Sequence, residues 1–441
     1  MKLETVKSFM LTILVGLSLL LTFSIWSYQP DVDRFISDQY VDEVDIGGIE
    51  ETKKRIIEPS SILFHTNNEH YGFTDAINRR SLYQDMQSWI LYEFATRSTD
   101  EPPSSDHQVE VIFPDALPME FVNSLFTFNE EQQMPSWSFQ RIFITLNQDS
   151  QLLTIYFQST NGQQQARAVV NNSSKYDMLW NYMTNLDDLT SYVVFGESEE
   201  SGTPIYIPEN PVTMARLSFT VESIEPSLFV NELFNTPSIV GRNISNVNEA
   251  YYTDAQRGMR VYQDQRMMEF INPNESSPDQ LGEPISLVER SISNINDHKG
   301  WTNEYNLVSI DTTMNRVRYQ MYYEGIPVFN NLNLSIIEQE WRGQELNFYQ
   351  RPLFNFNTGN IINDGGTVDL LSGRDVIYIL QNNANVTYNL ENIRDIQIGY
   401  KLEYEDSADR ALTLEPAWYM NYSGNWIELD FSEYEELKGG S

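Results

Sequence analysis

The residues able to do nucleophilic or metal chemistry are few. The 441-residue chain contains no cysteine, which removes disulfides, thiolate nucleophiles, iron–sulfur clusters and cysteine zinc sites. Its four histidines are His65, His70, His107 and His298. None belongs to an HExxH pair, and the spacing of His65 and His70 does not place them on one helix face. They read as solvated surface imidazoles, with no metal site and no cofactor. No GxSxG elbow, SxxK motif or P-loop occurs. Carboxylates remain: 63 Asp+Glu against 28 Lys+Arg. Two of them could serve as acid and nucleophile on a glycan, and Asp254 in YYTDAQRG, near Arg257 and Arg260, is the first to inspect. A surface ion pair at a hairpin is the simpler reading. The chain reads as a non-enzyme.

The formal charge of −35 argues against nucleic acid as a partner, because phosphate binding needs a concentrated positive surface. With 41% hydrophobic and 13% aromatic residues, the chain has too many core formers to be disordered. Trp137, Trp301, Trp341, Trp418 and Trp426 could form a ligand-stacking groove; on strands, the same residues are ordinary core and cross-strand pairs.

The elements that would position a function begin at the N-terminus. From Phe9 to Trp26 the chain runs FMLTILVGLSLLLTFSIW without a charge, and roughly 18–20 such residues cross a hydrocarbon core. Lys2 and Lys7 precede the run and acids dominate after it, which orients the N-terminus to the cytoplasm and the main body outside the cell. Trp26 and Tyr28 fit interfacial anchors, so a retained single-pass helix in the cell membrane is favoured over a cleaved signal peptide. Ser8, Thr12 and Gly16 lie four residues apart and form a small-residue face against which a second helix could pack closely; Ser18 and Thr22 form a shorter one.

The body reads as α+β, multi-domain, with antiparallel sheets and packed helices. The divisions are a cytoplasmic start (1–8), the transmembrane anchor (9–28), a juxtamembrane linker (29–60), and α+β domains over 61–204, 205–283 and 284–441. Helices are expected over 76–96, 173–189, 226–234, 284–296 and 373–381. Strands are expected at 108–113, in a meander over 139–146, 152–158 and 165–170, and at 212–224 and 250–272. Further strands fall at 303–311, 315–323, 332–339, 344–350, 393–404, 412–421 and 425–431. Asn363-Asp364-Gly365-Gly366 reads as a turn.

The start VKSFMLTILVGLSLLLTFSIWSYQP, the hairpin YYTDAQRGMRVYQDQRMMEFINP, the segments HKGWTNEYNLVSID, YYEGIPVF and FYQRPLF, and the closing IGYKLEYE…LEPAWYMNYSGNWIEL together resemble the YycH (WalH) family. The resemblance covers essentially the whole chain. It implies a non-enzymatic regulator of the YycG/YycF (WalK/WalR) two-component system of low-GC Gram-positive bacteria, controlling cell-wall homeostasis. It further implies later domains resembling YycI, a YycI-like partner, and contacts to the sensor histidine kinase through transmembrane helices and outer domains. The family has no catalytic set to carry over. The alternative is an extracellular wall-polymer or peptide receptor reporting to a kinase.

Overall fold

The computed structural model describes residues 3–27, 33–34, 44–99, 101, 103–196, 203–246, 249–262, 266–273, 282–382, 388–404 and 411–431. The first half runs α1 (Leu3–Ser27), β1 (Asp33–Arg34), α2 (Lys53–Ile56), β2 (Ser61–Thr66), β3 (Glu69–Phe73), α3 (Ala76–Met86), β4 (Ile90–Ser98) and β5 (His107–Pro118). It continues through α4 (Val122–Leu125), β6 (Thr127–Phe128), β7 (Ser138–Asn147), β8 (Leu152–Ser159), β9 (Gln164–Val170), α5 (Ser173–Asn185), β10 (Leu189–Phe195) and β11 (Ile205–Pro208). Strands β2 to β11 make one sheet in the order β11-β10-β3-β2-β5-β7-β8-β9-β4-β6.

Alternation builds this sheet. Along β8, Leu153, Ile155 and Phe157 are buried while Leu152, Thr154 and Tyr156 are half-exposed, the period of two that lets one face pack. Phe157 meets Phe139 and Phe126 edge-on, at centroid distances of 5.3 and 6.0 Å, and Phe139 meets Phe113 at 5.8 Å. The expected meander over 139–170 is present in full. Helix α5 starts where expected, capped by Asn172, whose Oδ1 accepts from Ser174 N at 3.0 Å, but ends at Asn185, short of 189.

The helix expected over 76–96 is cut short. Asp75 caps α3 through Ile77 N at 2.8 Å, and the helix ends at Met86. Residues 90–91 instead pair with β6 and 92–98 with β9, and Leu91 is fully buried. Tertiary pairing overrides a spacing that suits either element.

The second half runs β12 (Val212–Ser223), α6 (Pro226–Leu233), β13 (Gly241–Asn246), β14 (Glu249–Thr253), β15 (Gly258–Tyr262), β16 (Met267–Ile271), α7 (Pro284–Asn296), β17 (Glu304–Asp311) and β18 (Arg316–Tyr323). It closes with β19 (Ile326–Phe329), β20 (Ile336–Arg342), β21 (Glu345–Pro352), β22 (Phe354–Leu370), α8 (Gly373–Asn382), β23 (Ile393–Tyr404), β24 (Ala411–Tyr422) and β25 (Asn425–Glu428). These strands and β1 form the second sheet, whose main path is β1-β13-β14-β15-β16-β21-β20-β18-β19-β23-β24-β12-β22. Pairing is antiparallel except at β4–β6 and β19–β23. The α+β class holds.

Residues 363–366 do not turn. They continue β22, with Asn363 opposite Ser218 and Asp364 opposite Leu217. Register shifts on either side and a left-handed Gly366 (φ 80°) mark bulges, which use the same residue types as turns. Ser372 caps the start of helix α8: its Oγ accepts from Asp375 N at 3.1 Å and donates to Asp375 Oδ2 at 2.8 Å. A second core gathers Phe195, Ile205 and Ile207 with Val376, Leu380 and Trp418, so β11 is hydrogen-bonded to the first sheet while its apolar side chains pack with the second.

We expect Phe157→Ala to cost about 3–5 kcal/mol through transfer and cavity terms, and Thr154→Ala to stay within about 0.5 kcal/mol. Urea unfolding midpoints check both.

Candidate interaction site

Helix α1 spans the positions read as a small-residue face. Thr12 and Gly16 fall one turn apart and are exposed, and a Cβ added at Gly16 meets nothing within 4 Å. Ser8 lies in α1, but its side chain is outside the described residues. On the neighbouring stripe Thr22 Oγ1 donates to Ser18 O at 2.8 Å, which satisfies the hydroxyl inside the helix. The described apolar side chains between Met10 and Leu20 are 51% to 68% exposed and lie around every side of the helix. Among the described residues no helix is long and apolar enough to cross a membrane.

Downstream of α1, residues 44–58 act as a strap. They fall within the stretch read as juxtamembrane linker, yet Val44, Ile46, Ile56 and Ile57 are buried. Ile46 N donates to His298 O and Ile49 N to Trp301 O, each at 3.2 Å. Two asparagine side chains then imitate strand partners. Asn296 accepts from Glu51 N and donates to Glu51 O, both at 2.9 Å; Asn306 does the same for Glu58, both at 2.9 Å. Asn296 Oδ1 also takes the Trp301 indole N–H at 2.7 Å. At Gly48 a Cβ would stand 2.4 Å from Lys299 O and 2.6 Å from Trp301 O, so no other residue fits without displacing the backbone.

Charges reinforce the strap. Lys299 Nζ lies 2.8 Å from Asp45 Oδ2, and this hydrogen bond holds the Asp45 carboxyl below its ordinary value. Burial pushes Glu51 the other way. Arg80 of α3 donates from Nε to Glu58 Oε2 at 2.8 Å and from Nη2 to Glu304 of β17, and Arg79 donates to Gly325 O at 2.5 Å. The strap, the first sheet and the second sheet are thereby joined at one seam.

The other singled-out residues are structural. Asp254 Oδ1 accepts from Gln256 N at 2.9 Å and Arg257 N at 2.7 Å; it caps the turn instead of pairing with an arginine. Arg257 donates to Leu233 O and Asn235 Oδ1, and Arg260 pairs with Glu249. Trp301, Trp341 and Trp418 are buried, and Trp426 packs on Phe329, so they form no stacking groove.

The histidines are not solvated as expected. His298 is fully buried, with Nε2 at 3.1 Å from Tyr349 Oη; burial, helped by Arg351, pushes its pKa down to about 3. His65 and His70 are partly buried cross-strand partners. Five residues apart is the wrong spacing for a helix face but the right one for partners across a two-residue turn. Among the described residues no three His, Asp or Glu side chains converge as metal ligands.

A helix-led α+β protein with two large sheets and a strapped entry segment is the class that emerges, its candidate site a helix face rather than a pocket. The chain belongs to the YycH family: models of the YycH protein N-terminal and C-terminal domains match residues 4–188 and 202–436. It is similar to the two-component system WalR/WalK regulatory protein YycH of Bacillus subtilis (strain 168), 25% identical over 451 residues and covering 97% of each chain. The crystal structure of YycH from Bacillus subtilis has the same fold, with a TM-score of 0.71 and 21% identity over 88% of this chain and 100% of that one.

Asn296→Ala would leave Glu51 N–H, Glu51 C=O and the Trp301 indole without a partner, a loss of about 1–3 kcal/mol. We expect faster amide exchange at residues 46–51 with protection of the β7–β8 amides unchanged.

Proposed function

We propose that this chain is a single-pass regulator of a sensor histidine kinase of the YycG/WalK type, acting together with a YycI-like membrane protein in cell-wall signalling. Membership of the YycH family along nearly the whole chain carries this reading. The name of the Bacillus subtilis relative, a regulatory protein of the WalR/WalK system, supports the kinase as the target. The role needs no catalytic group.

The uncharged run 9–26 and the preceding lysines support an anchor in the cell membrane, with the N-terminus cytoplasmic and the body outside. The exposure of apolar side chains on every side of α1 supports an apolar surrounding for that helix. Within lipid, helices associate through close packing of small residues, which favours Ser8, Thr12 and Gly16 as the contact face.

A bound regulator changes kinase output only by binding its active and inactive states with different free energies. About 1.4 kcal/mol of difference already gives tenfold, within reach of a few helix-face contacts. Gly16→Leu and Thr12→Leu should lower co-purification of the kinase by about tenfold while leaving membrane insertion intact. Co-purification and signalling that survive both changes would remove this face as the contact.

A further inference from the structure

The hairpin β2–β3 turns through Asn67 and Asn68, both left-handed (φ 53° and 64°), and this sets His65 directly opposite His70. Their Nδ1 atoms are 2.7 Å apart. At that distance two ring nitrogens share one proton: one donates and the other must offer its lone pair. The second nitrogen of His65, Nε2, lies 2.9 Å from Glu110 Oε2, and Glu110 of β5 is 2% exposed. Its other oxygen accepts from Arg141 Nη1 of β7, whose Nη2 donates to Pro204 O at 2.8 Å.

Pro204 leads into β11, and the Tyr206 ring of that strand meets His65 at a tilt and His70 edge-on, with centroids 5.3 and 5.0 Å away. The opposite face of β11 inserts Ile205 and Ile207 into the second core. Among the remaining groups around the cluster, Asp395 of β23 is buried and feels Arg141. Glu69 of β3 is engaged by the Tyr71 hydroxyl. Tyr192 of β10, opposite His70 in register, is influenced by Arg79. His107 belongs to a separate contact, with Thr66 and Trp180. Among the described residues Glu110 is thus the one carboxylate hydrogen-bonded to the pair, and Arg141 already shares it.

We propose that the His65–His70 pair is a proton-operated latch: at neutral pH one shared proton closes the hairpin end onto β11, and mild acid, by adding a second proton, opens it and loosens the strand that joins the two sheets. With both Nδ1 atoms protonated neither can accept, and the added positive charge joins Arg141 around a single carboxylate. Burial, together with neighbouring His65, holds His70 below its ordinary pKa of 6.5. For Glu110, burial raises the pKa but Arg141 and His65 outweigh it, so the carboxylate stays ionised below its usual range. The sign follows from the histidine: the opened form binds more protons, so the latch is fully stable above pH 6.5 and weakens as the pH falls below it.

Amide exchange of the full chain, corrected for the intrinsic pH dependence of exchange, tests this between pH 7.5 and 5.5. Protection in β2–β3 and β10–β11 should fall by up to about tenfold relative to β7–β8, the limit for one histidine one unit below its open-state pKa. His70→Gln should abolish that fall. An equal fall in the variant, or none in the unaltered chain, would overturn the latch. NMR titration of the imidazole C–H signals of the unaltered protein gives a second reading that does not depend on the variant folding. One ring of the pair should titrate below 6.5; two independent titrations at the ordinary value would overturn the proposal.

Discussion

The structure depends on how the polypeptide enters its own body. The strap at 44–58 is held by two asparagine side chains, Asn296 and Asn306, each closing a pair of hydrogen bonds with one backbone residue. Both belong to the C-terminal third, at the end of α7 and in β17. A segment held by its neighbours' amides is pinned at those residues without belonging to a sheet. Glu58 extends the coupling, because the same residue that Asn306 holds by its backbone is held by its carboxylate to Arg80 of α3.

The charge distribution is consistent with this arrangement. With 28 basic residues against 63 acids, cations are scarce, and several lie inward: Arg80 at the seam, Arg141 on Glu110, and a fully buried Arg351 that donates to Tyr349 Oη and Thr302 Oγ1. Buried guanidinium groups stay charged and need several acceptors, so each such site fixes several elements at once. The acids in excess keep the outer surface soluble and disfavour casual contact with anionic polymers.

Much of the fold was legible in the sequence where one signal dominated. Runs rich in Ile, Leu, Phe, Val and Tyr, parted by the turn residues 147–150 and Asn161-Gly162, disclosed the β7–β9 meander, and apolar spacing with a Pro start disclosed α6 and α7. Elsewhere local signals competed. Trp89, Ile90 and Phe94 continue a helical spacing from α3, and only pairing with β6 and β9 decides for strand. The β2–β3 hairpin escaped notice because its Asn-Asn turn lacks the glycine that usually marks such turns, so His65 and His70 looked unrelated. The strap was invisible for a deeper reason: an asparagine that mimics a backbone partner hundreds of residues away leaves no local pattern. Of the candidate site, the Thr12–Gly16 stripe was legible because helical period alone defines it.

The regulatory reading turns on which side of α1 meets another protein. A photo-reactive residue placed at position 12 or 16, and separately at Leu14 roughly 200° around the helix, can be activated in native membranes and its captured partners identified by mass spectrometry. We expect positions 12 and 16 to capture the sensor kinase or a YycI-like protein and position 14 to capture lipid. Equal capture from all three positions, or capture of the kinase by a chain lacking residues 1–28, would contradict the assignment of α1 as the docking element.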